Sequence, residues 1–404
     1  MNKTSGSGRV NAPWLFGLLT IPYGFSSGVL TLLMPYLLRR QGVPVDRIAG
    51  VVALAALPAA WSFVCSPLVD LGLQRKTWLL GANTLIAALA GIAVLEVHGS
   101  LAFLTALLFL GSTLAGIVGT AIGALMTELR ADLRGQASGW YQTGNLGAGA
   151  IGSGLAIWLV DHLSLPLLAA AVAAIVFVPM LSALLIHEEP RPHLALGPLL
   201  SHMFHDVRDL LRSPRTLVGL VFFLSPVGSA AVMNLISGVG PDYRASDAEV
   251  AWVTGVGGGL LCALGSLIGG FVSSRMNRMV AYALAGGLAA VCGLWLGFAS
   301  HTPWTYGAGY SGYAVASGFA YAVFTALVLD VIGKRKHAAA TAYSVLLASG
   351  NLSISYMTWI DGAGYHRWGA KGLMGVDALA NGGGAMVLLL VAAWAVRFWR
   401  TTND

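Results

Sequence analysis

Charge is what this sequence has least of. Only 10% of its 404 residues are Asp, Glu, Lys or Arg, and 56% are apolar. Soluble domains carry roughly 25% charged residues. The apolar residues come in long blocks without charge, which excludes an ordinary soluble globule and indicates a chain that crosses a membrane several times. The first block is too long for a cleaved signal peptide and is expected to remain as a helix.

Cysteine is also scarce, and its three copies, Cys65, Cys262 and Cys292, lie separately inside apolar blocks. Because no Cys-x-x-Cys or Cys/His spacing is present, the sequence predicts neither a disulfide framework nor a metal site. No glycine-rich, lysine-containing nucleotide loop occurs, so no cofactor is expected and the chain alone is not an ATP-driven pump. The net charge of +6 comes without a long basic run, so no nucleic-acid partner is expected.

Twelve charge-free blocks are long enough to cross a bilayer as helices, which takes about 20 apolar residues each. They are 13–38, 48–69, 77–95, 99–127, 135–160, 163–186, 216–240, 250–274, 279–300, 302–329, 338–360 and 378–396. We therefore expect an all-α membrane protein with two pseudo-symmetric six-helix bundles, 1–187 and 216–404, joined by a cytoplasmic linker, 188–215. Apolar residues at helical spacing in the linker predict an amphipathic surface helix, in which His202 and His205 form either a solvated face or a metal pair.

Lys and Arg are distributed unevenly over the connections between the predicted spans. Seventeen of the 23 lie on the side of the membrane that holds both chain termini, and six lie on the other side. Cytoplasmic loops carry such an excess. We therefore expect a multi-pass protein embedded in the lipid bilayer with both termini in the cytoplasm. The expected membrane is the bacterial inner membrane, and the expected state is a monomer.

The two halves repeat each other at an offset of about 202 residues. Residues 124–128, ALMTE, align with 326–330, ALVLD, so that Glu128 corresponds to Asp330. The same offset pairs Arg134 with Lys336. A second match relates Pro22, Gly24 and Ser27 to Pro226, Gly228 and Ser229. Repeated halves with parallel topology are typical of solute carriers whose binding site lies between the halves.

The connection between the second and third spans, residues 66–76, reads SPLVDLGLQRK. It resembles the cytoplasmic loop signature of the major facilitator superfamily. The resemblance implies a secondary active transporter that moves a small-molecule substrate by alternating access. It also implies that Asp70 pairs with basic groups at neighbouring helix ends and latches the outward-open state. The candidate partners are Arg75, Lys76, Arg130 and Arg134. A plain helix-capping loop is the alternative.

Residues 24–28, GFSSG, and 127–139 resemble the branch that contains muropeptide permeases, acetyl-CoA transporters and siderophore permeases. The resemblance implies an amphipathic metabolite as substrate, either a siderophore or a muropeptide-like sugar-peptide. Muropeptide permeases have acidic residues in the fourth helix, where this sequence has Gly119 and Gly123. This departure leaves a siderophore or another amphipathic metabolite as the rival to a muropeptide.

Polar side chains inside apolar spans are candidates for a solute site, because an unpartnered polar group in lipid is costly. The substrate-binding candidates are Tyr23, Ser27, Gln142, Asn145, Asn234, Tyr313, Ser317, Tyr321 and Asn351. Those in the tenth span belong to a mostly aromatic stripe between Tyr306 and Phe324, which suits either stacking on a flat solute or packing between helices. Small residues on one face of the fourth span predict close helix contacts instead. They are Ser112, Gly116, Gly119 and Gly123.

No acidic or basic residue lies inside the twelve blocks as bounded above. Carriers that are coupled to protons commonly use a buried carboxyl group. The gating or proton-coupling candidates are Asp70, Arg75, Glu128, Arg134 and Asp330. Of these, Glu128 and Asp330 are the candidates for titration, with Glu96 and Asp361 at the opposite helix ends. The alternative for Glu128 and Asp330 is ion pairing with Arg130, Arg134 or Lys334.

The alternative function is a membrane-embedded enzyme acting on a lipid-linked or amphipathic substrate. Four histidines, His98, His162, His301 and His366, fall in outward loops near Asp161 and Asp361. No nucleophile motif accompanies them, so no catalytic residue is assigned and an enzyme is not expected. A channel is disfavoured because no charged ring or filter-like repeat is present.

Overall fold

The computed structural model of the chain describes residues 11–70, 73–188, 196–333 and 338–401, and all regular structure in these ranges is helical. Nine helices there are long and apolar enough to cross a membrane, and a bent pair of segments makes a tenth. One of the nine folds back on itself and supplies two spans, and one further span is interrupted. The described residues thus agree with the expected twelve helices, numbered α1 to α12 below.

The six helices of the N-terminal half follow each other with short connections. They are α1, Leu15–Arg40; α2, Val45–Ala60 continued by Ser62–Asp70; α3, Arg75–His98; α4, Leu101–Thr127; α5, Ala131–Val160; and α6, Leu165–Leu185. Two of these helices contain a π-helical turn, Val29–Leu33 in α1 and Ala148–Gly152 in α5. The helix α6 has a proline in its first turn, where a missing N–H group costs nothing.

The six helices of the C-terminal half begin after the linker. They are α7, Pro214–Phe223 and Val232–Val239; α8, Ala248–Ser273; α9, Arg278–Phe298; α10, Pro303–Ile332; and α11 with α12, which share Ala339–Thr401. Polar side chains just before α7 to α10 accept N–H groups of the first helical turn, which fixes where these helices begin. These capping residues are Ser213, Ser246, Asn277 and Thr302.

The helices α11 (339–368) and α12 (370–401) form a tight hairpin at Gly369, which has a φ of 64°. A Cβ atom on Gly364 would lie 2.9 Å from the carbonyl oxygen of Gly372. In a straight helix these residues would be about 12 Å apart. Both helices therefore extend beyond the predicted span ends, α11 beyond residue 360 and α12 to before residue 378. These two ends are wrong because a span defined as charge-free stops at the first acidic residue.

The helix α7 is interrupted at residues 224–231, so the expectation of one continuous helix there is wrong. The segment contains a proline, which cannot donate a backbone hydrogen bond, and Gly228 has a φ of 70°. The Tyr282 hydroxyl donates to the Val227 carbonyl at 2.6 Å, and the Asn381 side-chain oxygen accepts from the Gly228 N–H at 3.2 Å. Neighbouring helices thus satisfy backbone groups that the break releases.

The linker contains a helix, Leu196–Arg212, with apolar and polar residues on opposite faces. Leu210 is fully buried, whereas Phe204 is 74% exposed. His205 Nδ1 lies 3.0 Å from Asp209 Oδ2, which agrees with a solvated helix face, and the described residues contain no group of three or more metal-ligating side chains. The His202 side chain lies outside the described part of the chain.

Helices from opposite halves approach most closely where both carry small residues. A Cβ atom on Gly139 of α5 would lie 2.8 Å from the Cα atom of Gly270 in α8. Gly135, one turn earlier, faces the hydroxyl groups of Ser273 and Ser274. The small-residue spacing in α5 therefore marks a contact between the halves, where close approach depends on the absence of side chains.

The α1–α5 contact allows a direct test of the helix packing. A Cβ atom on Gly144 of α5 would lie 2.1 Å from the Gly17 carbonyl oxygen, whereas one on Gly287 of α9 would meet nothing within 4 Å. We expect Gly144→Ala to destabilise the fold by about 1–3 kcal/mol through overpacking, and Gly287→Ala to leave stability unchanged. Thermal unfolding of the two purified variants in detergent measures this. Equal melting temperatures would contradict the packing.

Candidate solute cavity and gate

A cavity of about 260 Å³ lies among α1 to α5 of the N-terminal half, with one wall from α11 of the other half. Its polar lining includes Tyr23, Ser26, Ser27, Ser62, Ser112 and Asn351. Its apolar lining includes Leu30, Ile86, Leu107, Leu108 and Leu347. Among the described residues that line it, none is Asp, Glu, Lys, Arg or His. The cavity therefore suits a solute that is partly apolar and hydrogen-bonding but carries little charge.

Three of the nine predicted substrate residues line this cavity. Tyr23 is half-buried beside Gly119, where an added Cβ atom would come within 3.3 Å of the tyrosine ring. Ser27 and Asn351 are exposed and face the cavity from α1 and α11. Sequence reasoning assigned Ser112 to helix packing only, although it also lines the cavity. The sequence did hold a signal for this role, because Ser112 lies one turn from Gly116 and two turns from Gly119 on α4, and both glycines line the cavity.

Two further candidates form a polar link between the halves instead. The Gln142 side-chain nitrogen of α5 donates to Thr325 Oγ1 of α10 at 2.9 Å, and Gln142 is 7% exposed. Asn145 donates to the Gln142 side-chain oxygen at 3.2 Å. These amides lie outside the cavity lining and hold α5 against α10.

The remaining four candidates lie within the C-terminal half and outside this cavity. Tyr313 is fully buried and donates to Asp377 Oδ1 at 3.1 Å, while Ser317 donates to the Tyr313 carbonyl of its own helix. Asn234 donates to a threonine hydroxyl of α11 at 3.1 Å, and Tyr321 is half-buried. The aromatic stripe of α10 packs against several neighbouring helices in this conformation.

The Asp70 carboxylate joins the two halves at one end of the molecule. Asp70 is 5% exposed and accepts hydrogen bonds from the backbone N–H groups of Ala340 at 3.2 Å and Thr341 at 2.9 Å. The Thr341 hydroxyl donates to it as well, at 2.9 Å. Asp70 at the end of α2 thus caps the first turn of α11, where a negative charge also meets the positive end of the helix dipole.

One of the expected basic partners of Asp70 lies at ion-pair distance: Arg75 Nη2 is 4.0 Å from Asp70 Oδ1. Arg130 pairs with Asp132 instead, at 2.9 Å. Lys76 donates to the Leu184 carbonyl. Arg134 is 5% exposed and donates to backbone carbonyls, including that of Leu329 in the opposite half at 3.0 Å. Asp70 therefore bonds mainly to backbone groups.

The same ion pair occurs once in each half. Arg75 at the start of α3 pairs with Glu128 at the end of α4, and Arg278 at the start of α9 pairs with Asp330 in the last turn of α10. Arg134 lies 3.8 Å from Asp330. Sequence reasoning missed Arg278, although it follows Arg75 at nearly the repeat offset. Lys334, another expected partner, lies outside the described residues.

Further contacts seal the halves at this end, which we call the Asp70 end. Ser66 Oγ of α2 and Ser344 Oγ of α11 are 2.6 Å apart. The Tyr343 ring of α11 covers Gly123 of α4, where an added Cβ atom would lie 2.3 Å from the ring. The cavity lies beyond this seal, among α1 to α5 and α11.

Twelve helices in two repeated halves, with a cavity lined by α1 to α5 and α11, have the architecture of a membrane transporter. The sequence profile described as Major Facilitator Superfamily matches residues 16–358, and the chain belongs to this family of transporters and is not an enzyme. No curated protein sequence matches the chain.

Two solved structures share this fold over nearly their whole length. The human organic anion transporter MFSD10 (TETRAN) has a TM-score of 0.67 and 16% identity, covering 94% of this chain and 97% of that chain. The transporter FucP in the outward conformation has a TM-score of 0.67 and 15% identity, covering 93% and 97%. At these identities the likeness shows the fold alone.

The cap on α11 generates a test of the seal. We expect Asp70→Ala to remove about 1–2 kcal/mol of capping energy and to shift the closed-to-open ratio at the Asp70 end by roughly fivefold or more. The rate at which a maleimide labels a Ser344→Cys reporter, with the native cysteines replaced, measures the shift. Asp132→Ala, which removes an exposed pair within one half, is the control. Unchanged labelling in the Asp70 variant would refute the cap's role.

Proposed function

We propose that the chain is a secondary active transporter that carries an uncharged, amphipathic metabolite by alternating access. The observation that supports this most strongly is the cavity, whose lining combines hydroxyl and amide groups with aliphatic side chains. It has one wall from α11, and the two halves close over it at the Asp70 end. Solute binding there and rocking of the halves about the α5–α8 contact supply the transport cycle.

The uncharged lining narrows the class of substrate. A carboxylate or phosphate moved into such a site loses hydration without meeting a cation, which is unfavourable. The core of a ferric trihydroxamate siderophore carries no net charge, because three hydroxamate anions balance the ferric ion. A muropeptide-like sugar-peptide carries carboxylates, and acetyl-CoA carries phosphates. We therefore favour the siderophore class among those that the sequence resembles, with the sugar-peptide as second candidate. Tyr23, Ser27 and Asn351 are the proposed substrate contacts.

The gating residues act together at the Asp70 end in this proposal. Asp70 holds the start of α11, and Arg134 holds the last turn of α10. The Arg75–Glu128 and Arg278–Asp330 pairs stabilise the helix ends that carry these contacts. In this proposal Glu128 and Asp330 stay ionised and paired while the Asp70 end is closed. Both ion pairs break when that end opens.

The orientation in the membrane follows from the distribution of basic residues. The Asp70 end is the side with the excess of Lys and Arg, so we place it in the cytoplasm with both termini, in a bacterial inner membrane. The closed Asp70 end then corresponds to an outward-facing state, as in the FucP structure, which is in the outward conformation. A monomer is sufficient for this cycle because the cavity is built within one chain.

Uptake into proteoliposomes tests the proposed substrate class. We expect saturable uptake of a ferric hydroxamate siderophore, weaker uptake of a disaccharide-peptide, and none of acetyl-CoA, because the lining has no cation for carboxylate or phosphate groups. Empty liposomes provide the background. Transport of acetyl-CoA alone would contradict an uncharged substrate.

A single substitution in the cavity tests where the solute binds. Asn351→Leu removes an amide that faces the cavity, and loss of one hydrogen bond worth about 1 kcal/mol should raise the KM of uptake about fivefold. Asn234→Leu is the matched control, since Asn234 lies on α7 outside the lining. Equal KM values in both variants would place the binding site elsewhere.

A further inference from the structure

Two carboxyl groups lie buried in the membrane-spanning part of the C-terminal half. Asp361 of α11 and Asp377 of α12 are both 0% exposed. Each is eight residues from Gly369, where the hairpin reverses direction. The two residues therefore lie opposite each other, about two helical turns away from Gly369. The equivalent positions in the N-terminal half, at the repeat offset, are Leu159 and Ile175, so this acidic pair exists in one half only.

The two carboxyl groups have different surroundings. Asp377 Oδ1 accepts hydrogen bonds from the Tyr313 hydroxyl and from the Asn381 side-chain nitrogen, both at 3.1 Å. Among the described residues, neither carboxyl oxygen of Asp361 has a hydrogen-bond partner, and Oδ2 of Asp377 has none either. No Lys, Arg or His of the described chain lies within salt-bridge distance of either group.

An unpartnered carboxylate in such a place is strongly unfavourable, because burial removes its hydration and nothing replaces it. Asp377 lies close enough to add electrostatic repulsion. When Asp361 is a neutral acid, it pays neither the loss of hydration nor the repulsion from Asp377. Asp377, with two donors, is the better place for the negative charge, and Asp361 is the better place for a proton.

We propose that Asp361 and Asp377 form the proton-binding site of this transporter, with the proton on Asp361 when the site is loaded. The proposal rests on the proposed function and adds its driving ion. A proton enters from water on one side, converts the Asp361 carboxylate to the acid, and leaves to water on the other side. No bond to the solute is made or broken.

The donors around Asp377 favour a proton over a metal cation. The Gly228 N–H donates to the Asn381 side-chain oxygen, so the Asn381 nitrogen must face Asp377. A sodium site needs several oxygen atoms directed at one point, and here an N–H and an O–H group point at the carboxylate instead.

In the part of the chain that the structure describes, neighbouring helices bring no Lys, Arg or His within ion-pair distance of the two carboxyl groups. α9 presents Gly293 and Gly297 to α12, and α7 presents Pro226 and Val227. Tyr313 of α10 is the titratable group that bonds to the pair. Cys292 of α9 packs against Gly312, the residue before Tyr313 in α10. The Tyr365 hydroxyl of α11 donates outward to Asp242. Within the described residues, protonation of the pair is therefore governed by the two carboxyl groups themselves.

Asn381 connects the acidic pair to the break in α7. Its nitrogen also donates to the Asp377 carbonyl at 3.1 Å, which fixes the side chain against α12. Its oxygen holds Gly228, whose positive φ belongs to the interrupted segment 224–231. Asn381 therefore links the acidic pair to the point where α7 bends. Discontinuous helices of this kind accompany ion sites in transporters.

Infrared spectroscopy of the purified protein tests the site without any substrate. A protonated carboxyl group has a C=O stretching band separate from that of a carboxylate. We expect wild-type protein to show such a band at neutral pH, and Asp361→Asn to lack it. The exposed-carboxylate variant Asp161→Asn, which breaks a surface pair with Arg40, should keep the band. A band that persists in Asp361→Asn overturns the assignment of the proton to Asp361.

Transport assays separate the proton site from the proposed function. In proteoliposomes loaded with the ferric hydroxamate, we expect Asp361→Asn and Asp377→Asn to lose accumulation driven by a pH gradient and to keep solute exchange. Asn381→Ala should keep the infrared band and lose accumulation, which marks Asn381 as a positioning residue. Accumulation that follows a sodium gradient, or that survives in Asp361→Asn, overturns the proposal.

The two kinds of failure are distinguishable. If the wild-type protein moves none of the solutes while the band disappears in Asp361→Asn, the proton site stands and the proposed substrate class is wrong. If solute uptake is robust but independent of pH in both wild type and Asp361→Asn, the transporter stands and the proton site is wrong.

Discussion

Every buried charge in a membrane needs a partner, and the closed end of this molecule is organised by that requirement. Arg75 and Arg134 are almost fully buried, and both bond to groups at the ends of neighbouring helices. Asp70 is buried because the first turn of α11 offers it two N–H groups. The contacts that Asp70 and Arg134 make across the halves also hold the two halves together. When this end opens, both charges lose these contacts and become hydrated by water instead.

The duplicated architecture gives the two halves similar ends and different interiors. The Arg75–Glu128 and Arg278–Asp330 pairs repeat the same device at equivalent helix ends. The uncharged cavity lies mainly in the N-terminal half, whereas the two buried carboxyl groups lie in the C-terminal half. In the proposals made above, the solute and the proton therefore bind at separate places in the two halves.

Hydrophobic blocks of the sequence predicted the number and order of helices well, because crossing lipid imposes a length and a composition on each span. Span ends near acidic residues were not predictable in this way, since Asp361 and Asp377 are buried against other helices and never meet lipid. The break in α7 follows from Pro226 and Gly228, but equally spaced residues in α1 leave that helix unbroken. The direction in which each side chain of α10 points depends on its neighbours, which periodicity alone does not specify.

The central claim is that the contact between α2 and α11 at the Asp70 end opens and closes during transport. Replacing Ser66 and Ser344 by cysteine places two thiols where the hydroxyl oxygens are now 2.6 Å apart, close enough for a disulfide. We predict that a mild oxidant cross-links this pair of cysteines in membranes and thereby stops uptake of the ferric hydroxamate. A reductant should then restore uptake. Full uptake by the cross-linked protein would contradict the account.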